Sequence, residues 1–395
     1  MAHKYAAHNK SMAPMRHARR GNATMSEFVG QPQLLKAVNS SMIEQMIYER
    51  GPLSKPELAR MTSLSLPTVG KLVDDLEESG CIRQVGLAGK GAGRKAMQYE
   101  TNKDFGCLVA LYYRWGEYVG RVTDIAGKTL REALFPLRSG GADAAMESTC
   151  AAIDALIKEA PNEVKAIGVG VPGAVRPDGR LMGIPKIPAW EGYNAAAALE
   201  ARYSASICVE NDVKLSAVGY YRNFFSDQYD HIVYIYAGNG MGSGVIINKR
   251  LYRGSTNFSG ELGFMAPLTG QPPKRDYTGS GGYLETQLRK YVNSAQGEFW
   301  AKDAPKHRKV LANILGAAAA NHVALLNPDV IVFGGEAFDA ALINEIQGQM
   351  SFYAPRESMP RIVHDDNATT GIKGLILTCR EFITTRMRLV QNAGV

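Results

Sequence analysis

The sequence has few cysteines, and it lacks both long apolar runs and an apolar N-terminal segment. Its five cysteines form no Cys-x-x-Cys pair, which excludes a disulfide framework and disfavours a zinc finger. They are Cys81, Cys107, Cys150, Cys208 and Cys379. No apolar run approaches the roughly 18 to 20 residues of a membrane span, and the basic N-terminus lacks the apolar centre of a secretory signal. These absences predict a reduced, cytoplasmic protein without a membrane partner.

What the chain does contain is enough apolar residues for a large core, and an uneven distribution of charge. Its 395 residues are 45% hydrophobic and 21% charged, which is typical of a soluble globular protein with two or three domains. Residues 1–103 hold 15 basic and 9 acidic side chains, whereas the remaining 292 hold 30 and 29. A basic end favours contact with nucleic acid. Residues 1–30, which show no periodicity, are equally compatible with a solvated, disordered arm.

The first quarter of the chain carries the pattern of a helix-turn-helix. Apolar residues recur at three- and four-residue spacing between Leu34 and Ile47. Ser54 and Glu57 form a capping box at the start of a short second helix, and Ser65 is placed to cap a third helix. The residues of the third helix expected to face inward are Leu66, Val69, Leu72, Val73 and Leu76. Two helices joined by a short turn are typical of modules that place the second of them in the DNA major groove.

A predicted β-ribbon with a basic, glycine-rich tip follows these helices. Strands over residues 81–85 and 97–99 flank the tip, which contains Gly93-Arg94. Arginine beside glycine can enter a narrow minor groove, because the negative potential there attracts it. We therefore predict a winged helix-turn-helix at residues 31–103, with an ordinary helical hairpin as the alternative. The expected DNA contacts are Pro67, Thr68 and Lys71 on the third helix and Arg94 and Lys95 in the wing.

A second patterned region lies between Val209 and Phe264. Glu210-Asn211-Asp212 precedes two apolar runs, which are joined by a segment with glycine at every second position from Gly238 to Gly244. Such glycines let another group approach the backbone or present N–H groups to an anion, and a plain tight hairpin explains them equally well. Carboxylates on both sides, Asp212 and Glu261, suit a polyhydroxylated ligand because they accept strong hydrogen bonds from hydroxyls.

In this order the motifs resemble the ROK family, which comprises repressors, open reading frames and sugar kinases. The resemblance covers roughly residues 104–395 and implies an α/β domain with the two-lobed actin-like, ribonuclease-H-like (ASKHA) fold. In ROK kinases the residue at the position of Asp212 is the general base for the sugar hydroxyl. The sugar-binding set that the resemblance implies here is Gly173, Asn211, Asp212, Glu261 and Glu285.

One departure from the family pattern concerns phosphoryl transfer. The kinases' Asp-x-Gly-Gly-Thr turn holds the nucleotide phosphates and Mg²⁺, and by strand register its positions are occupied here by Tyr112, Arg114 and Trp115. Tyrosine cannot help to hold Mg²⁺, and Arg-Trp fills the space of the phosphate, so phosphoryl transfer loses its electrostatic support. No catalytic residue and no cofactor is therefore predicted. Gly334-Gly335, which resembles the family's adenine-side motif, is interpreted as a helix-capping turn.

A further departure concerns zinc. The family's Gly-Glu-x-Gly-His, followed by Cys-x-Cys-x4-Cys, supplies zinc ligands, but this chain has Phe264 in place of the histidine and no cysteine between Pro267 and Leu284. Zinc requires about four nitrogen or sulfur ligands, so no metal is predicted. Phe264 is expected either to stack on a sugar face or to fill the pocket.

Together these patterns predict a regulator of the transcription of carbohydrate-related genes, in the first instance a repressor. Residues 1–30 form a disordered arm, residues 31–103 the winged helix-turn-helix and residues 104–395 a sugar-sensing ROK domain. The predicted partners are a double-stranded DNA operator, a sugar or sugar derivative, and further copies of the chain in a homodimer or tetramer. Two alternatives stay open: an active sugar kinase with a DNA-binding arm, and a DNA-binding repressor that is ligand-independent or controlled by a protein partner.

Overall fold

A computed structural model describes residues 32–88, 95–138, 140–184, 186–238, 240–266, 283–289 and 305–391. Three helices and a small antiparallel sheet form its N-terminal module. In chain order these are α1 (Pro32–Arg50), β1 (Leu53–Ser54), α2 (Lys55–Thr62), α3 (Leu66–Glu78), β2 (Ile82–Ala88) and β3 (Ala96–Thr101). The strands pair in the order β1-β3-β2.

Local sequence signals start the helices of this module where we expected them. The Glu57 carboxylate accepts a hydrogen bond from the Ser54 backbone N at 2.8 Å, which confirms the capping box. The Ser65 hydroxyl accepts from the Thr68 backbone N at 3.3 Å and caps α3. The prediction that Leu66 faces inward was wrong, since its side chain is 51% exposed. The whole first turn of α3 extends beyond the small core of the module.

Two five-stranded sheets form most of the remaining chain. The first contains β4 (Cys107–Arg114), β5 (Glu117–Asp124), β6 (Thr129–Pro136), β7 (Val164–Val171) and β10 (Ser206–Asn211); a short hairpin, β8 (Ala174–Val175) and β9 (Leu181–Met182), follows β7. The second contains β11 (Ile232–Ala237), β12 (Met241–Ile247), β13 (Arg250–Tyr252), β14 (Val330–Gly334) and β15 (Arg361–Asp365). Their strand orders are β10-β7-β4-β5-β6 and β13-β12-β11-β14-β15.

Helices cover both faces of each sheet, and two of them lie between the sheets. The helices are α4 (Ala142–Lys158), α5 (Ala195–Glu200), α6 (Asp212–Phe224), α7 (Tyr283–Arg289), α8 (Pro305–Leu326), α9 (Ala340–Met350) and α10 (Thr370–Gln391). Helix α10 packs on the first sheet through Leu375 and Cys379, and α6 packs on the second through Ala217 and Tyr220. The layers therefore run first sheet, α10, α6, second sheet.

Helices α6 and α10 approach each other closely because each has a glycine at the crossing. A Cβ placed on Gly374 would overlap the Leu215 carbonyl, and one placed on Gly219 would overlap the Thr370 carbonyl. Close-packed interiors transmit small displacements rather than absorb them. Movement of either helix is therefore expected to move the other.

Helix α8 is the one segment of the described chain long and apolar enough, by composition, to cross a membrane. Half of the window Arg308–Leu326 is nevertheless buried inside the protein. Leu311, Leu315 and Ala319 pack into the core on the outer face of the second sheet. The apolar character of α8 is therefore that of a core helix.

The N-terminal module is joined to α10 by a buried ion pair. Arg380 donates to Glu44 on α1 at 2.6 Å and to Gln45 at 3.1 Å. Its guanidinium also lies over the Tyr48 ring, 3.4 Å from the centroid. The side chains of Arg380 and Glu44 are only 3% and 7% exposed. A polar cavity of about 630 Å³ lies beside this contact, and residues of both α1 and α6 line it.

Candidate functional site

A cavity of about 300 Å³ opens between the two sheets. This volume is at the lower end of the roughly 300 to 1,000 Å³ of small-molecule sites. Residues that follow the carboxyl ends of parallel strands line the cavity, which is where α/β sheets bind their ligands. Among them are Gly173 after β7, Asp212 after β10, Glu336 after β14 and Asp366 after β15.

All five residues of the predicted sugar-binding set line this one cavity: Gly173, Asn211, Asp212, Glu261 and Glu285. The structure thus brings together residues that are more than 100 positions apart in the chain. Asn211 also has a structural task, because its Oδ1 accepts from the Lys214 backbone N at 2.9 Å and caps α6. Its Nδ2 donates to the Gly173 carbonyl at 3.0 Å, which fixes the loop after β7.

Two carboxylates of the set have strongly shifted acidities. Burial raises the pKa of Asp212 to about 7, partly offset by the hydrogen bond from the Val213 backbone N, and the charge of Glu261 raises it further. Burial also raises the pKa of Glu261 to about 7, where Lys214 lowers it and Glu285 raises it. Near neutral pH both groups are therefore partly protonated, which is a feature typical of functional sites.

Glu285 and Phe264 also line the cavity that contains Asp212 and Glu261. Glu285 is buried on α7, and Phe264 meets the ring of Phe258 edge-on, with centroids 5.3 Å apart. A Cβ on Gly183 would lie 3.9 Å from Phe264. The ring therefore lines the cavity as part of an aromatic wall.

The alternating glycines do not form an anion-binding turn in the described residues. Only Gly238 and Gly240 belong to the hairpin turn, because β12 begins at Met241. Gly242 and Gly244 lie within β12 and face α6. A Cβ on Gly244 would overlap that of Ala217, and one on Gly242 would lie 3.2 Å from the Val213 side chain. These two glycines therefore allow α6 to pack against the strand.

Tyr112 occupies the region where the family's phosphate turn is expected. Its hydroxyl lies 3.2 Å from the Asp212 carbonyl and 3.3 Å from the Ser216 hydroxyl, both on α6. A Cβ on Gly371 would overlap the Tyr112 ring, so the start of α10 lies against it. Burial raises the pKa of this phenol above its usual value, which keeps it a neutral donor.

Arg114 and Trp115 lie beside Tyr112, at the end of the β4–β5 hairpin. Both line the cavity. Trp115 has a φ of 58° in the turn and is 40% exposed. The three residues predicted to occupy the positions of the phosphate turn therefore all border the same cleft.

Two further tyrosines, which the sequence did not single out, lie on the same side of the cleft. The Tyr234 hydroxyl donates to Asp365 at 2.9 Å, and the Tyr236 hydroxyl donates to Glu336 at 3.1 Å. A Cβ on Gly334 would overlap the Tyr234 hydroxyl, and one on Gly335 would lie 2.8 Å from the Tyr236 ring.

The interpretation of Gly334-Gly335 as a helix cap was wrong. Helix α9 is capped by Asp339, whose carboxylate accepts from the Leu342 backbone N at 2.7 Å. The two glycines instead make room for tyrosine rings. The available signal in the sequence was the alternation Tyr234-Ile235-Tyr236, which places both rings on one face of β11.

The residues predicted to contact DNA are exposed on the N-terminal module as far as the structure describes them. Pro67, Thr68 and Lys71 are exposed on the first turns of α3, and Lys95 is exposed at the base of the β2–β3 hairpin. Arg94 lies outside the described residues, as does the arm at 1–30. Within the described ranges, no cluster of three or more His, Cys, Asp or Glu side chains could hold a metal ion.

Two α/β sheets around a small-molecule cleft, preceded by a three-helix module, define the class of this protein. The sequence profile of the ROK family matches residues 121–369, which is more than half of the chain. The chain therefore belongs to the ROK family.

Proteins similar to this chain include named repressors. It is 26% identical over 347 residues to the DNA-binding transcriptional dual regulator NagC of Escherichia coli, covering 79% of this chain and 84% of that protein. It is also 26% identical over 240 residues to the xylose repressor of Bacillus subtilis, covering 60% and 62%.

Solved structures agree on the fold. A ROK family transcriptional regulator, a homologue of the E. coli MLC protein, superposes with a TM-score of 0.73 at 20% identity and covers 90% of this chain and 99% of that one. ROK-family sugar kinases superpose as well, with lower TM-scores. At these identities the superpositions establish the mixed α/β ROK fold and no more.

Proposed function

We propose that the protein is a transcriptional repressor of carbohydrate-related genes, and that a sugar bound in the cleft controls its binding to DNA. One observation carries this proposal. Asp212, Glu261 and Glu285, at positions where the resemblance to ROK kinases implies sugar binding, line one cavity. The rings of Tyr112, Tyr234 and Tyr236 line the same cavity on the side where the resemblance implies a nucleotide.

The tyrosines argue against the kinase alternative for a steric and an electrostatic reason. Tyr112 packs against the start of α10, and Tyr234 and Tyr236 pack against Gly334 and Gly335, so the backbone that would approach a nucleotide is already covered. Phosphoryl transfer also requires a metal and donors aimed at the phosphates. Tyr112 supplies neither, because its hydroxyl is engaged by α6.

We assign DNA binding to a winged helix-turn-helix at residues 31–103, which precedes the ROK domain at 104–395. The first turn of α3 is exposed and begins with a capped, ordered backbone, as a helix that enters a major groove requires. Pro67, Thr68 and Lys71 on this helix, together with Arg94 and Lys95 of the wing, are the proposed contacts. The repressor names of the relatives support the assignment.

A direct route connects the cleft to this module. Helix α6 begins at Asp212 and α10 at Thr370, both in the cavity wall, and the two helices pack through their glycines. Arg380 on α10 then holds α1 through Glu44. A sugar that favours one angle between the sheets would therefore reposition the DNA-binding modules of a homodimer or tetramer. The distance between two such modules must match the spacing of the operator half-sites, so this movement would change the affinity for DNA.

The proposal is tested with Glu261→Gln and a matched control, Glu147→Gln, at an exposed position on α4. An operator fragment is first selected from a random duplex library with the unmodified protein. Titration of each variant with this fragment, with and without sugar, then measures both DNA affinity and the response. We expect Glu261→Gln to retain DNA affinity within about threefold and to lose the sugar response, while Glu147→Gln keeps both. Turnover of ATP with any sugar, or an unchanged response in Glu261→Gln, would refute the proposal.

A further inference from the structure

The charges that line the cleft are mostly of one sign. Among the described lining residues, six carboxylates face two cationic side chains. The carboxylates are Asp212, Glu261, Glu285, Glu336, Asp365 and Asp366, and the cations are Arg114 and Lys186. Asp212 and Glu261 are partly protonated near neutral pH, but the other four carboxylates still outnumber the two cations. Such a cleft concentrates negative potential, because its low-dielectric walls focus the field.

Three of these carboxylates line the sugar half of the cleft, and neighbouring pairs of them repel each other. The charge of Glu261 disfavours ionisation of Asp212, and the charge of Glu285 disfavours ionisation of Glu261. The cation that offsets this repulsion is Lys214, whose side chain is 1% exposed and whose Nζ donates to the Asn257 carbonyl. Lys214 is not among the described lining residues of the cavity.

The other three carboxylates occupy the half that would receive a phosphate. Asp365 already accepts from the Tyr234 hydroxyl, from the Asn367 backbone N at 3.0 Å and from the Thr370 hydroxyl at 3.2 Å. Glu336 accepts from Tyr236. These donors hold the carboxylates in place and are directed at them. A phosphate at this end would meet fixed negative charges and donors that are already engaged.

We infer that the ligand of this cleft is a polyhydroxylated sugar that carries no phosphate, carboxylate or other anionic group. Given the proposed sensor function, on which this inference rests, the sugar hydroxyls donate to the carboxyl oxygens of Asp212, Glu261 and Glu285, which accept in the ionised form and keep acceptor capacity when protonated. An anionic substituent adds like-charge contacts at either end of the cleft. Like charges brought together across an interface weaken binding by several orders of magnitude. We therefore expect a neutral sugar to bind at least about 100-fold more tightly than its anionic derivative.

The experiment compares matched pairs by calorimetric titration and thermal shift of the full-length protein. The pairs are glucose and glucose 6-phosphate, xylose and xylose 5-phosphate, and N-acetylglucosamine and its 6-phosphate. We expect a neutral member to bind and to raise the melting temperature, and its phosphorylated counterpart to bind at least about 100-fold more weakly. Binding restricted to a phosphorylated member would overturn the charge inference while leaving the sensor function intact. Absence of binding by every compound, together with unchanged DNA affinity, would overturn both.

A charge-neutralising variant separates electrostatics from shape. Asp366→Asn keeps the size of the side chain and removes one negative charge from the phosphate-side half. Because Asp366 is exposed and solvent screens its charge, we expect this variant to narrow the ratio between the neutral and the phosphorylated affinities by about two- to fivefold, whereas Glu147→Gln on the outer surface leaves the ratio unchanged. An unchanged ratio in Asp366→Asn would show that sterics alone exclude the phosphate, and would contradict the electrostatic argument.

Discussion

Replacing Arg380 with methionine removes the cation that joins α10 to the N-terminal module. Methionine is apolar and unbranched but shorter, so the substitution removes the charge together with the contact of the guanidinium on the Tyr48 ring. Glu44 then stays buried at 7% exposure without the partner that lies 2.6 Å away. An unpaired buried charge is far more costly than a missing surface ion pair.

The expected loss follows from this burial. Removing one member of a buried ion pair costs about 3 to 5 kcal/mol, because the remaining charge is uncompensated. Changing both members, as in Glu44→Leu with Arg380→Met, removes the charge altogether and is expected to leave the free energy of unfolding within about 2 kcal/mol of the unmodified value. Arg222 supplies the control, since it pairs with Glu49 and Glu381 at a more exposed position, and Arg222→Met should cost at most about 1 kcal/mol.

Urea denaturation followed by circular dichroism measures these differences, and operator titration measures their consequence. The double variant should bind both DNA and sugar while its DNA affinity no longer depends on sugar, because the contact between α1 and α10 has lost its directional groups. A loss below about 1 kcal/mol for Arg380→Met, or a full sugar response in the double variant, would refute the reasoning.

Three further predictions concern packing, acidity and the DNA-binding helix. Gly244→Ala should destabilise the protein by about 1 to 3 kcal/mol through overlap with α6, whereas Gly348→Ala, in open space on α9, should be neutral or stabilising; thermal unfolding compares them. The folded pKa values of Asp212 and Glu261 are raised to about 7. Their contribution to the free energy of unfolding is therefore fully present below about pH 4, where both are protonated, and is lost as pH rises through 7. Between pH 5 and pH 8 the free energy of unfolding of Asp212→Asn and Glu261→Gln should therefore rise by about 1 to 2 kcal/mol relative to the unmodified protein. This value is reduced because water in the cleft screens the two groups. Ser65→Ala should cost about 1 kcal/mol by loss of the cap of α3 and weaken operator binding.

Each of these predictions has an outcome that contradicts it. Equal melting temperatures for the two glycine variants would mean that α6 shifts freely on β12. Parallel pH–stability curves for the carboxylate variants and the unmodified protein would mean that the two acids ionise normally in the fold. Unchanged operator affinity in Ser65→Ala, in spite of reduced stability, would place the DNA contacts elsewhere than on the first turn of α3.

Local features of the fold were accessible from the sequence, and features that depend on strand register were not. The caps at Ser54 and Ser65 depend on residues within three positions, so the sequence was sufficient. The packing of Tyr236 against the glycine turn requires β11 to pair with β14 in the register that places it opposite Gly334. No local pattern specifies that pairing, although β propensity predicted both strands.

The same distinction applies to the candidate site. Its five sugar-side residues could be predicted because they fall in motifs that resemble a family, and the structure places all of them in one cavity. The contact between Arg380 and Glu44 joins residues 336 positions apart and belongs to no motif. The roles of Gly242 and Gly244 were also out of reach, because only the position of α6 shows which group approaches them.

The position of Tyr112 bears on how the proposed sensor would answer to a sugar without a nucleotide. Tyr112 belongs to the first sheet, but its hydroxyl contacts the first turn of α6, which packs on the second sheet. The Tyr112 ring lies between the first turn of α6 and the start of α10, at the end of the cleft where the resemblance implies a nucleotide, so we expect the sugar end to be the adjustable one. A ligand can shift such an equilibrium only by its differential affinity for the two states, and the carboxylates at the sugar end are the groups positioned to provide it.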